Sequence, residues 1–136
     1  MNDRVLRTAV GILAAAGAAI AGYLTYARFT HTQVACATGG CEIVQRSDYA
    51  ELVGIPVALL GLLAYVAVLA LVAWDSELAR TLAAAIALSA VGFVAYLIAL
   101  QAFVIDAWCV WCLVNDLVIV PLLAVLTVWR VRRMSA

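Results

Sequence analysis

The run TLAAAIALSAVGFVAYLIALQAFVI, residues 81–105, is 25 residues long and holds no charge. A helix rises about 1.5 Å per residue, so ~20 residues cross the ~30 Å hydrocarbon core of a bilayer. Three more stretches match it. Residues 8–27 and 52–74 are uncharged over 20 and 23 residues, and residues 107–129 hold one acid, Asp116, in 23. Such runs of Ala, Leu and Val exclude a transmembrane barrel, whose strands alternate over about ten residues. The chain is 68% hydrophobic and 12% charged, with a mean hydropathy of +1.14. A soluble domain of this length could not keep so little polar surface in water. The expected fold is an all-α integral membrane protein, a bundle of four transmembrane helices at about 8–28, 56–74, 80–105 and 109–130. Residues 1–136 then form one domain.

A cleaved signal sequence is the competing reading of the first stretch, with Arg4 and Arg7 as its basic region. A signal core runs to about 7–15 residues. This one is longer and continues through Tyr23 and Tyr26 without a clear small-residue stop. It therefore reads as a span.

Arginine sets the expected orientation, because the chain has no lysine. With four spans both termini share a side with Arg4, Arg7, Arg80, Arg130, Arg132 and Arg133, and the other side has Arg28 and Arg46. The positive-inside rule puts the richer side in the cytosol. The expected location is the inner (plasma) membrane, multi-pass, with both termini cytosolic. The net charge of zero gives no reason to expect nucleic acid as a partner.

Most connections are short, which makes consecutive helices antiparallel neighbours. The exception is the extracytoplasmic connection at about 29–54, long enough to suggest a function. Within it Ser47 is a plausible N-cap for a short amphipathic helix over 47–53. Gly54 ends that turn, and Pro56 suits the first position of the second span. This short helix is expected to cap the extracytoplasmic end of the bundle.

The four cysteines come in two pairs, Cys36 with Cys41 and Cys109 with Cys112. Both pairs fall on the extracytoplasmic side, where disulfides persist. The C-x-x-C pair opens the fourth span, where exposed helix N–H groups stabilise a thiolate. Cys112 lies about one turn deeper than Cys109, and Asp116 follows on the same face. A loop disulfide at Cys36 and Cys41 can be attacked by another protein's thiolate, and the resulting dithiol can attack a Cys109–Cys112 disulfide. The last step requires a lipid-soluble acceptor of two electrons and two protons, and a quinone fits. Static disulfides in a non-enzymatic membrane subunit, and a metal site of four thiolates, are the alternatives that the cysteines alone leave open. An acid within a span is a functional candidate by default. Asp116 either serves a quinone oxygen or a thiol, or reaches the headgroups or an arginine. Asn115 can donate to a carbonyl. Trp111, inside the C-x-x-C, can flank a ring or anchor at the interface.

Taken in order, these residues resemble the vitamin K epoxide reductase family in its bacterial form. The resemblance rests on Cys36 and Cys41, Ser47 and Tyr49, the run Gly54-Ile55-Pro56-Val57-Ala58, Gly61, Tyr65, and the pair Cys109 and Cys112. It spans nearly the whole chain. It implies a four-helix bundle holding a quinone of the ubiquinone, menaquinone or vitamin K type near its outer end. It implies that Cys36 exchanges with a periplasmic thioredoxin-like dithiol oxidase of the DsbA type. Cys41 then passes electrons to Cys109, and Cys112 lies beside the quinone. Ser47, Ala50, Val53, Trp111, Asn115 and Asp116 are the quinone contacts expected on this basis. Bacterial members often carry a fused thioredoxin-like domain; here the partner is expected to be a separate protein, and the chain a monomer. Animal members have a tyrosine where this chain has Asp116, and an asparagine where it has Ala50. Both differences count against epoxide reduction and leave quinone reduction open; the expected function is quinone reduction in support of disulfide formation, with reduction of vitamin K or its epoxide as the alternative.

Overall fold

A computed structural model describes residues 2–30, 51–52, 55–105 and 110–135. The first helix, α1, is Asp3–Thr30. Asn2 caps it, its side-chain oxygen accepting from the Val5 N–H at 3.0 Å. Next, β1 (Glu51–Leu52) pairs antiparallel with β2 (Ile55–Pro56), Glu51 opposite Pro56 and Leu52 opposite Ile55. The helix expected over 47–53 is therefore not helical at Glu51 and Leu52, where the chain is extended and folds back on itself. Its remaining positions, with Ser47, Ala50 and Val53, lie outside the described residues.

Helix α2 is Val57–Trp74 and α3 is Glu77–Ala99, continued by a wide π-helical segment, Leu100–Ile105. The fourth span is α4 (Val110–Val114), a π-helical turn (Asn115–Ile119) and α5 (Val120–Ser135). The wide turn has a local cause. Pro121 has no N–H to give to the turn before it. The Val120 N–H reaches back five residues, to the Asn115 carbonyl. All four spans are long and apolar enough to cross a membrane.

The exposure pattern is that of a membrane bundle. Large apolar side chains such as Ile12 and Val125 face outward, at 64% and 61% exposure, while one stripe of α1 is buried. Leu6, Val10, Ala14, Ala21 and Leu24 recur at helical spacing along that stripe. Helix α1 packs chiefly on α2, and α3 on α5. Small residues at these seams, such as Ala83, Ala87 and Ala124, let the helices approach closely without a hydrophobic drive between them. The buried hydroxyls of Thr25 and Thr127 donate to the Ala21 and Leu123 carbonyls, at 2.7 and 2.8 Å.

One end of the bundle is held by charge. Asp75, in the two-residue turn between α2 and α3, has φ 55°, a left-handed conformation that Asp tolerates better than most residues. Ser76 follows as the N-cap of α3, accepting from the Ala79 N–H at 3.0 Å. Arg80 of α3 binds Asp75 at 3.0 Å and Asp3 of α1 at 3.1 Å. Arg130 of α5, 3% exposed, binds Asp3 at 3.3 Å and also Asp75. Arg7 caps the end of α2 by donating to the Val72 and Ala73 carbonyls, at 3.0 and 3.2 Å. The 75–80 turn and both chain ends thus lie together, as four antiparallel spans require.

Candidate functional site

At the end away from the charge cluster, the four spans enclose a cavity of about 460 Å³. That falls within the ~300–1,000 Å³ typical of small-molecule sites. Its walls come from the second half of α1, the first half of α2, the second half of α3 and the start of the fourth span. The space exists because small residues sit where larger ones would fill it, among them Ala21, Ala58, Gly61, Ala64 and Ala90. The wall is apolar except for Ser89 and a polar group formed by Tyr65, Gln101, Cys112, Asn115 and Asp116.

Two wide turns bring part of that group inward. Gln101, 2% exposed, is the second residue of the π-helical end of α3, and Asn115 and Asp116 open the π-helical turn of the fourth span. Such insertions within α-helices occur often at functional sites. Asp116 is 3% exposed, so it is inside the bundle rather than at the headgroups. Its Oδ1 accepts from Asn115 Nδ2 at 3.0 Å. The side-chain oxygen of Asn115, Oδ1, in turn accepts from the Tyr65 hydroxyl. Asp116 Oδ2 is buried and has no hydrogen-bond partner among the described residues.

Of the residues that the sequence singled out, Cys112, Asn115 and Asp116 converge on this cavity. Trp111 does not line it; its ring packs edge-on against Tyr23, with centroids 5.6 Å apart and planes at 79°. Cys112 and Trp111 both pack on a small core of Leu24 and Ala27. Tyr23 is thus half-buried, whereas Tyr26 and Trp74 are exposed, at 63% and 62%. Cys36, Cys41 and Cys109 lie outside the described residues, as do Ser47, Ala50 and Val53.

Gln101 and Gly17 are the contributors that sequence reasoning passed over, and Tyr65 entered only through a resemblance. Each left a signal. Gln101 is the sole amide in residues 81–105, and Tyr65 carries the sole polar group in residues 57–73. Gly17 is buried on α1 where the Tyr65 ring crosses it, and a Cβ there would overlap the ring. Gly17→Ala is therefore expected to displace Tyr65 and break its bond to Asn115. The overpacking costs about 1–3 kcal/mol, read as a lower melting temperature in detergent. Gly11→Ala is the control. Nothing lies within 4 Å of its added methyl, and it should melt at or above the wild-type temperature. Equal melting of the two variants would remove Gly17 from the site.

The family model of the vitamin K epoxide reductase family matches residues 8–127, which reaches into all four spans and takes in the whole cavity.

Proposed function

The chain belongs to the vitamin K epoxide reductase family, and on that premise we propose that it is a thiol–quinone oxidoreductase that supports disulfide formation. Membership makes it a membrane oxidoreductase of quinone-linked chemistry. The observation that carries the finer reading is a sulfur, Cys112, in the wall of an apolar cavity that has one polar edge. The residues present suit a quinone. The apolar wall matches a ring and its isoprenoid substituent, and the buried, unmatched Asp116 Oδ2 beside Asn115 offers a polar contact at the ring's edge.

A bound quinone supplies the sink for two electrons and two protons. Everything else is done by the chain. Cys36 and Cys41 exchange with a thioredoxin-like dithiol oxidase of the DsbA type on the periplasmic side. Their dithiol then reduces the Cys109–Cys112 disulfide through a mixed disulfide between Cys41 and Cys109. Cys112 stands at the cavity and delivers the electron pair there as the disulfide with Cys109 re-forms. The apolar wall excludes water. Asn115 and Asp116 orient the ring, with Ser47, Ala50 and Val53 proposed to complete the pocket from the loop. The protein lies in the plasma membrane as a single domain, with its charge-clustered end in the cytosol and its cysteines outside.

The test is a single turnover. The purified, fully reduced protein is mixed with one equivalent of a short-chain quinone, and quinone absorbance is followed. Loss of one quinone per protein, with formation of one disulfide, is the expected result. Reduced protein that leaves the quinone untouched would move the reading to static disulfides.

A further inference from the structure

The hydrogen bonds around Asp116 have a fixed direction. The Tyr65 hydroxyl donates to Asn115 Oδ1. The Asn115 amide can then face Asp116 only with its nitrogen, and it donates to Asp116 Oδ1 at 3.0 Å. One carboxyl oxygen is committed as an acceptor. The other, Oδ2, is buried in a residue 3% exposed and has no partner among the described residues. Native proteins seldom leave a buried polar atom unmatched. Asp116 is one of the residues lining the cavity, so a molecule bound there is placed to supply the missing partner once the carboxyl turns to meet it.

We propose that Asp116 is the proton donor of the reaction, passing a proton from Oδ2 to the ring oxygen of the quinone, with Asn115 and Tyr65 as its positioning residues. The proposal rests on the quinone-reducing function above. A ring carbonyl is an acceptor and requires Oδ2–H facing it. The hydroxyl of the reduced ring is a donor and requires a bare Oδ2. One proton moving along this line leaves the same two oxygens hydrogen-bonded before and after the reaction. The carboxylate that remains keeps the Asn115 N–H on Oδ1, so its charge is never without a donor.

The balance closes within the site. Cys109 and Cys112 lose two electrons and two protons as their S–S bond forms. The ring gains two electrons and two protons. One of those protons comes from Asp116 and one from the thiols. The second thiol proton returns to Asp116, which ends as it began.

Two measurements test this. The first is an infrared difference spectrum of quinone binding to the Cys112→Ala protein, in which no turnover occurs. The carbonyl stretch of a protonated carboxyl should shift when quinone is added, and that signal should be absent in Cys112→Ala/Asp116→Asn. The second is the single turnover with Cys112 intact. Asp116→Asn should slow it on the order of 10²–10⁴-fold, with quinone affinity changed by less than about tenfold, one hydrogen bond's worth. Asp116→Glu, which keeps the carboxyl, should recover part of the rate. Tyr65→Phe should shift the infrared signal without removing it. The proton role is overturned if no carboxyl signal responds to quinone, or if Asp116→Asn turns over at the wild-type rate. A wild-type protein that reduces no quinone overturns the parent function as well, so the two failures are distinguishable.

Discussion

Replacing Cys112 with alanine is expected to lower quinone reduction by at least about a thousandfold. Among the described residues, Cys112 is the one sulfur in the cavity wall, half-buried, one turn above the Asn115–Asp116 pair. Removing it takes away the atom proposed both to deliver electrons to the cavity and to close the disulfide. The volume lost is small, and the cavity is built from other residues, so quinone binding should persist. A second signature separates a relay defect from a folding defect. Without Cys112 the lone Cys109 thiolate can attack Cys41 of the Cys36–Cys41 disulfide and release Cys36 as a thiol, so an internal Cys41–Cys109 link should accumulate in the oxidised variant with no net oxidation. Mass analysis of the unreduced, digested variant reads that link directly. Fast turnover by Cys112→Ala would break the proposed order of the sulfurs.

Asp75→Asn is the second large effect, and it acts on stability. Asn tolerates the left-handed φ of 55° at this position, so the substitution isolates the charge from the backbone. The carboxylate receives Arg80 and Arg130, with Arg7 at 3.8 Å. Arg130 is 3% exposed and cannot turn to solvent for compensation. Breaking a buried pair from one side typically costs about 3–5 kcal/mol. Asp3 remains to share Arg130, so the lower part of that range is expected, as a lower melting temperature in detergent. The same site sets an acid limit. Burial alone would push the Asp75 carboxyl up, but hydrogen bonds and charge from Arg80 and Arg130 outweigh it and hold it below its ordinary value. The folded protein therefore binds this proton less readily than the unfolded chain does. The stabilisation is complete above the unfolded value, about 3.9, and is lost as pH falls through the lower folded value. Wild-type melting should fall in that window, and Asp75→Asn should remove this contribution. Identical acid curves for the two proteins would rule it out.

The spans were readable from sequence because a bilayer imposes one requirement, some twenty apolar residues, that uncharged runs meet without reference to packing. Cys112, Asn115 and Asp116 were readable together because one helix places them. What spacing alone could not supply was contact between helices. Tyr65 reaches Asn115 only because Gly17, on a third helix, leaves room for its ring. The wide turn at Asn115–Ile119 had its cause in plain view at Pro121. The arginines were read as loop charges that report orientation, yet Arg130 is buried and structural. Charge counting treats residues singly, whereas Arg130 gains its role from Asp3 and Asp75. At 47–53, a possible N-cap and interleaved polar residues suggested a helix. At Glu51 and Leu52, the part of that stretch among the described residues, antiparallel pairing with Ile55–Pro56 stands instead, giving those residues partners across the ladder that a short isolated helix would lack at its ends.

The bond between Asp3 and Arg130 joins residues 127 positions apart. A chain made from its N-terminus presents Asp3 first and Asp75 next, and Arg80 can pair with both as soon as the third span is in place. Arg130 arrives only when nearly the whole chain has been synthesised. Three spans can thus wait as a partly neutralised intermediate, and the fourth docks onto a receptor already assembled for it. The docking that buries Arg130 also brings Cys112 and Asp116 to the cavity, so the proposed redox site would be completed only at the final stage of biogenesis.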